Sequence, residues 1–411
     1  MTSGERVTYR SVLANREFSA ILVAQGLSTT GDQLARIAIA VLVFHRTGSA
    51  FAASATYAVS YLTYLLGGPV LSAVSDRNPR VTVMIVCDLL RAPLILALCL
   101  DGLPLWSFFL VLGAVGALAP PFDSARSSLQ PDLLSGESYV VGNAMMNLVL
   151  QSGQVLGFLA GGALVALVSL RGAFAIDAAT FFVSAGLVLA VVRYRPAAQD
   201  ASERSSLLRD TALGLRLVAT HSELKRLLGF ALLGSAAIIA PEGLAIPVST
   251  ALGGGAFEAG ILTASVPAGF LVGSVLVLRV PSERRKELLP GLVLISCAAL
   301  LATPFIDDLA AVTALWFLAG TGGCVNLIAG AAYMQTCPRE FRARAYGVAI
   351  TSLNAVQGTV LLVAGALAGR LSATQSVAAV AGSLLVLLAV TGGLSTADAQ
   401  GRRDLVRNSP G

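Results

Sequence analysis

Apolar segments of membrane-crossing length alternate with short polar segments along this chain. About 20 apolar residues are enough for a helix to cross a bilayer, and several segments exceed that length. Twelve such segments are predicted, at residues 18–44, 49–75, 81–101, 104–122, 138–169, 172–193, 224–250, 256–280, 288–306, 309–335, 342–368 and 373–394. The pattern therefore predicts an all-α membrane protein with twelve transmembrane helices.

The turns between the apolar segments recur at a fixed distance along the chain. Three features return 207 residues later, in the pairs Asp76 and Glu283, Asp101 and Asp308, and Pro131 and Pro338. A shared offset indicates two pseudo-symmetric six-helix bundles. We place the N-terminal half at residues 1–196 and the C-terminal half at residues 223–411. A polar connector at 197–222 joins them, and its leucines predict a short amphipathic helix there.

Composition excludes several classes of protein. Charged residues make up 12% of the chain and hydrophobic residues 55%, whereas a soluble protein carries about 25% charged residues. The net charge of +5 is spread over short loops, which does not favour a nucleic-acid partner. The five cysteines are widely spaced and form no metal-ligand or disulfide pattern. The chain has no P-loop and no HExxH motif, so we expect neither an enzyme nor a cofactor.

Lysine and arginine positions set the expected orientation in the membrane. Of the 28 residues of these two types, 23 fall in the two tails and the even-numbered loops. Positively charged loops stay on the cytoplasmic side. Both termini are therefore predicted to be cytoplasmic, in a multi-pass protein of the cell (inner) membrane.

The turn after the second span carries a recognisable motif. Two similar halves, a cytoplasmic connector and this turn resemble the major facilitator superfamily, whose loop motif reads G-x-x-x-D-R-x-G-R. Here Ser72, Asp76, Arg77, Pro79 and Arg80 occupy the motif positions, with both glycines replaced. The stretches GDQLARIAIAVLVF, CDLLRA, SSLQPDLL, GNAM and CPREFRARAYG resemble the macrolide, drug and siderophore exporter branch. The resemblance implies a monomer.

In that family the turn packs against the start of span 11, across the two halves. The resemblance implies that Asp76 meets the N-terminus of a helix opened by Pro338. Further partners at this cytoplasmic gate are Arg77, Arg80, Arg342 and Arg344. The alternative is a solvated loop that only sets the topology.

The glycines of span 5 resemble the antiporter motif G-x-x-x-G-P-x-x-G-G of proton-coupled exporters. They are Gly153, Gly157, Gly161 and Gly162, and Phe158 stands where the motif has proline. The alternative is generic helix packing, because glycines four residues apart let two membrane helices approach closely.

Ionisable residues inside the spans are the candidates for transport chemistry, because such groups are costly in the bilayer core. Asp32 and Arg36 lie four residues apart on span 1 and face the same way, so they are able to pair. Glu242 lies mid-span in span 7, where Pro241 and Pro247 are expected to break the helix. Each acid is interpreted as a proton-coupling or substrate site, or alternatively as a structural group.

Three further charges lie in the N-terminal half. Asp88 and Arg91 are three residues apart on span 3, and we favour a conformational ion pair over a substrate site. Asp177 lies near the outer end of span 6, where its side chain is able to reach the headgroups. Its role is left open between structure and function.

Uncharged side chains complete the possible cavity lining. Tyr57, Tyr61 and Tyr64 share one stripe of span 2, and further polar residues within spans are Gln154, Asn326 and Gln357. Packing and hydrogen bonding between helices explain such residues equally well. Pro120 and Pro121 are expected to end span 4 and to unravel the chain over residues 123–126.

These features together favour a secondary active transporter that exports a small amphipathic organic compound, with protons as the coupling ion and alternating access as the mechanism. Only two tryptophans are present, whereas a sugar site would need more polar and aromatic groups. The alternatives are a transporter-derived sensor or receptor, a membrane enzyme, and an importer of a small metabolite.

Overall fold

A computed structural model describes residues 8–167, 169–195, 207–338 and 341–407. The side chains of residues 66–77, 207–212, 343 and 391–407 lie outside that description. Every regular element in the described part is helical. Ten helical segments are long and apolar enough to cross a membrane. Helices over 50–77 and 80–97 bring the total to the twelve predicted spans, and the predicted fold class is confirmed.

The N-terminal half begins with the short helix α1 (Tyr9–Leu13). Its spans are α2 (Arg16–Thr47), α3 (Ala50–Arg77), α4 (Arg80–Ala97), the pair α5 (Leu105–Ala117) and α6 (Ala119–Leu133), α7 (Gly136–Leu167) and α8 (Leu170–Val191). The helix α9 (Leu207–Thr220) lies in the predicted connector. The C-terminal spans are α10 (Ser222–Ala251), α11 (Ala256–Leu278), α12 (Leu289–Leu301), the pair α13 (Leu309–Gly322) and α14 (Val325–Thr336), α15 (Arg342–Leu367) and α16 (Ala373–Arg407).

The two halves repeat each other in detail. The starts of α2 and α10 and the starts of α7 and α15 are each separated by 206 residues. Both fourth spans are interrupted at matching places, between α5 and α6 at Leu118 and between α13 and α14 at Gly323 and Cys324. The repeat read from the turns is therefore a repeat of the helices themselves.

The proline expectations for spans 4 and 7 are wrong. Pro120 and Pro121 do not unravel span 4, because they lie in the first turn of α6, where the missing N–H groups would have had no helical partner anyway. Pro241 and Pro247 do not break span 7, since α10 runs unbroken from Ser222 to Ala251. Pro247 still removes the donor that would bond the carbonyl of Gly243, four residues earlier. That carbonyl accepts instead from the Ser54 hydroxyl of α3 at 2.8 Å.

Each half has its own apolar core, and a further cluster joins them. That cluster takes Ile37, Tyr57 and Phe158 from the N-terminal half and Ile239, Ile246, Ala259 and Leu361 from the C-terminal half. The helices that meet there are α7 with α11 and α3 with α15. The interface between halves is thus a buried apolar surface, on which any polar group stands out.

The bundle has two faces, which we name by the chain ends. The terminal face carries α1 and the turns at 78–79 and 134–135, whereas the far face carries the turns at 48–49, 252–255 and 368–372. The halves touch closely towards the far face. A Cβ on Gly162 would lie 2.9 Å from the Cα of Gly260, and a Cβ on Gly365 would lie 3.0 Å from the Cα of Phe51. The two halves are therefore in backbone contact on the far face.

Replacing Gly157 by alanine is expected to lower the stability of the N-terminal half by about 1–3 kcal/mol, the usual cost of overpacking. A Cβ there would lie 2.5 Å from the Thr30 carbonyl oxygen of α2, which is backbone and yields little. Thermal unfolding of the detergent-solubilised protein measures the effect. The matched control is Gly186→Ala on α8, where a Cβ meets nothing within 4 Å. Equal melting temperatures for the two variants would contradict the close packing of α7 on α2.

Candidate transport site

Arg36 is the central cation of the interface. Its Nη1 donates to Gln33 Oε1 at 3.4 Å, and its guanidinium lies 5.8 Å from the ring centroid of Tyr61 on α3. That distance is within the range of a cation–π contact. The charges of Asp32 on α2 and Glu242 on α10 both act on Arg36. The charge of one arginine in the N-terminal half thus interacts with a carboxylate from each half.

Asp32 lines a small cavity next to this arginine. The cavity measures about 30 Å³ and is also lined by Arg36, Arg91, Ser60 and Asp177. Asp32 and Arg36 share a helical face, as the spacing indicates, but they form no ion pair among the described contacts. Arg91 and Arg36 are the two cations whose charges act on Asp32. The acid therefore belongs to a wider charge cluster and not to a two-residue pair.

Glu242 has no partner at one of its oxygens. Its Oε1 is buried and makes no hydrogen bond in the described structure. Arg36, on the other half, is the cation whose charge acts on it. The next residue, Gly243, packs tightly against Ser54, because a Cβ there would lie 2.8 Å from the serine hydroxyl oxygen. Glu242 is thus held where α10 meets α3.

Asp88 and Arg91 form a closed pair on α4. The Arg91 Nη1 lies 3.6 Å from Asp88 Oδ1, and the Ser184 hydroxyl of α8 donates to Asp88 Oδ2 at 2.6 Å. The guanidinium also lies 5.3 Å from the ring centroid of Phe122 and 5.6 Å from that of Phe181. Asp88 is 0% exposed. This geometry favours the conformational ion pair over a substrate site.

Asp177 is the residue whose surroundings the sequence reasoning missed. Its side chain does not reach the headgroups, because it is 0% exposed and packs against Gly31 of α2. A signal was present in the sequence: Asp177 lies three residues after Phe174 and four before Phe181, on the apolar face that α8 buries. Its place on that face, and not its distance from the helix end, decides its environment.

The uncharged candidates divide into interface and single-half residues. Tyr57 is 1% exposed, its hydroxyl has no partner in the described structure, and it belongs to the cluster between the halves. Asn326 accepts from the Ser235 hydroxyl at 3.4 Å within the C-terminal half. Tyr61, Gln154 and Gln357 are half-buried. The structure brings Tyr57 and Tyr61 together with Arg36 and Glu242.

The glycines of α7 serve two different contacts. Gly153, Gly157 and Gly161 all face α2 of the same half. Gly162 faces α11 of the other half, and Phe158 fills the apolar cluster between the halves. Three of the four glycines therefore pack α7 on α2 within one half, and the fourth packs it on α11 of the other half.

The gate residues whose side chains the structure describes make contacts within their own halves. Arg80 pairs with Asp132 at 2.5 Å, and the Arg342 Nε donates to the Cys337 carbonyl at 3.3 Å. The Arg344 guanidinium lies 5.8 Å from the ring centroid of Phe341. Pro338 does not open span 11, because α15 begins at Arg342. The side chains of Asp76 and Arg77 lie outside the description.

Two repeated six-helix halves that meet at a polar centre define a class of membrane transporter. Residues 21–283 match the profile of the Major Facilitator Superfamily. This match covers more than half of the chain, and the chain belongs to that superfamily.

Two curated relatives match part of the chain. The uncharacterized MFS-type transporter YfiS of Bacillus subtilis (strain 168) is 24% identical over 201 residues, which is 48% of each protein. The lysophospholipid transporter LplT of Serratia proteamaculans (strain 568) is 27% identical over 154 residues, which is 38% of each. The matched region thus spans less than half the length of either relative. Neither relative supports the macrolide and siderophore exporter branch.

Solved transporter structures share the fold over nearly the whole chain. A bacterial homologue of the lysosomal transporter Spinster, inward-facing and unoccupied, has a TM-score of 0.67 at 17% identity and covers 91% of this chain and 96% of its own. A mutant of the nucleoside transporter NupG has a TM-score of 0.71 at 15% identity and covers 92% of this chain and 98% of its own. The POT family transporter PepTSo has a TM-score of 0.74 at 12% identity and covers 94% of this chain and 98% of its own. At such low identity the likeness shows the fold alone.

Proposed function

We propose that this chain is a proton-coupled secondary transporter that exports a small amphipathic organic compound by alternating access. The observation that supports the proposal is Arg36, on which the charges of Asp32 from its own half and of Glu242 from the other half both act. Protonating Glu242 removes its attraction to Arg36, and with it one of the forces between the halves. Proton binding and the relative movement of the halves are then linked at one point.

The site also suits a poorly hydrated cargo. Apolar side chains of both halves, among them Phe158, Ile239 and Ile246, surround the polar centre. Residues 1–196 and 223–411 act as the two moving halves, with the terminal face in the cytoplasm of a monomer in the cell membrane. The export direction rests on the sequence resemblance alone, since most of the span 5 glycines pack within one half.

A single-chain phospholipid is the second candidate cargo, favoured by the similarity to the lysophospholipid transporter. Such a lipid is itself a small amphipathic molecule, so the same site accommodates it. Import, the alternative direction, is then tested alongside export.

A transport assay tests the proposal. Cells that lack their own pumps are grown with and without this protein in the presence of ethidium, a macrolide or a lysophospholipid. For any compound whose effect on growth differs between the two cultures, flux is then measured in proteoliposomes under an imposed pH gradient. We expect flux that needs the gradient and reverses with its sign. Binding without flux would instead identify a sensor, and a chemically altered product would identify an enzyme.

A further inference from the structure

Away from their ends, the described spans carry more acidic than basic residues. Away from the helix ends, the described spans contain five acids and three arginines, namely Asp32, Asp88, Asp123, Asp177 and Glu242 against Arg36, Arg91 and Arg126. Uncompensated charge is costly in the membrane interior. Two of these five acids therefore have no arginine to match them.

Two of the acids are matched by an arginine on their own helix. Asp88 lies 3.6 Å from Arg91, and Asp123 lies 3.3 Å from Arg126. Arg36 is then the remaining arginine whose positive charge acts on both Asp32 and Glu242. This assignment leaves Asp177 without a cation of its own, and it leaves one further acid at the interface unmatched.

Asp177 has the strongest requirement for a proton among these acids. Its Oδ2 makes no hydrogen bond in the described structure. Its Oδ1 lies 3.5 Å from the Thr180 hydroxyl, which donates at 2.7 Å to the Asp177 backbone carbonyl. The side chain is 0% exposed, so bulk solvent does not reach it. A protonated carboxyl group is the chemical form that suits such a position.

The cavity connects Asp177 to the transport site. Asp177, Asp32, Arg36 and Arg91 line the same space of about 30 Å³, which is polar enough and large enough for about two waters. The charged groups that face Asp177 are Asp32 and Arg36 from α2 and Arg91 from α4, with Asp88 beside Arg91. Asp177 and Asp32 therefore border the same small space.

We infer that Asp177 is a second proton-carrying group, which exchanges its proton with Asp32 through this cavity. In the exchange the Asp177 O–H bond breaks and an Asp32 O–H bond forms, with waters passing the proton and no change in total charge. The role of Asp177 in transport rests on the proposed function. In that role Asp177 carries a second proton, in addition to the one on Glu242. Asp177 acts on the coupling ion and does not contact the cargo.

Infrared difference spectroscopy of the purified protein in lipid at neutral pH tests the inference without any cargo. Subtracting the Asp177→Asn spectrum from that of the unaltered protein is expected to reveal one protonated-carboxyl C=O band, which shifts in D2O. The matched control is Asp123→Asn, whose ion-paired acid is expected to contribute ionised-carboxylate bands instead. An ionised-carboxylate band for Asp177 would overturn the inference.

A second variant keeps the test decisive if Asp177→Asn does not fold. Thr180→Val removes the hydroxyl that donates to the Asp177 carbonyl at 2.7 Å and lies 3.5 Å from Asp177 Oδ1. The acid stays in place without this neighbouring dipole, so the protonated-carboxyl band is expected to move in frequency. An unmoved band would overturn the inference. Both spectra are independent of transport, so absent flux in the proteoliposome assay would reject the proposed function without deciding the protonation of Asp177.

Discussion

Replacing Glu242 by glutamine is expected to reduce pH-gradient-driven flux about a hundredfold, which corresponds to about 2.7 kcal/mol in the rate-limiting barrier. Glutamine keeps the size of the side chain but exchanges no proton. The halves then lose the titratable attraction between this position and Arg36. Exchange of labelled for unlabelled cargo across the membrane, which needs no net proton movement, is expected to continue.

The control for this variant is Glu258→Gln at the start of α11. Glu258 Oε2 accepts from the Gly255 N–H at 2.8 Å, a bond that a glutamine oxygen preserves, and the residue lies at the end of its span. Its flux is expected to match that of the unaltered protein. Gradient-driven flux that survives in Glu242→Gln would place the coupling group elsewhere and contradict the proposed mechanism.

Replacing Arg91 by leucine is expected to destabilise the protein by about 3–5 kcal/mol, the cost of leaving one member of a buried ion pair uncompensated. Asp88 is 0% exposed, and the Ser184 hydroxyl alone cannot balance its charge. The double variant Asp88→Asn with Arg91→Leu is expected to recover much of the loss. Unfolding followed in detergent, arranged as a double-mutant cycle, measures the coupling between the two residues.

Arg80→Leu supplies the comparison for this loss. Arg80 pairs with Asp132 at the terminal face, where the two side chains are 24% and 44% exposed. An exposed pair contributes about 0–1 kcal/mol, so the same substitution is expected to have little effect there. An Arg91→Leu variant as stable as Arg80→Leu, or a double variant no better than the single one, would show that the pair does not stabilise α4.

Hydropathy and the repeated turns predicted the fold, because both are read from the local sequence. A bilayer requires every span to satisfy its own backbone, so apolar length alone predicts the helices. The proline effects depended on context that one segment does not contain. Pro247 left a carbonyl without a donor, as expected, but Ser54 of another span supplied the missing bond and the helix continued.

The site was only partly predictable for the same reason. Rare charges within apolar segments indicated Asp32, Arg36 and Glu242 as candidate coupling residues, because lipid tolerates such groups poorly. Which charges pair with which depends on helix rotation and packing. Sequence spacing allowed Asp32 to pair with Arg36, whereas the folded chain places the buried Asp177 on the same cavity.

The close glycine contacts on the far face have a physical consequence for how that side opens. Gly162 meets Gly260, and Gly365 meets the backbone of α3, so the surfaces that separate there consist of peptide groups and small side chains. Dissolved ions weaken interactions between charged groups, and these glycine contacts are not made by charged groups. Bilayer lateral pressure and lipid composition, and not ionic strength, are the external variables to which this movement should respond.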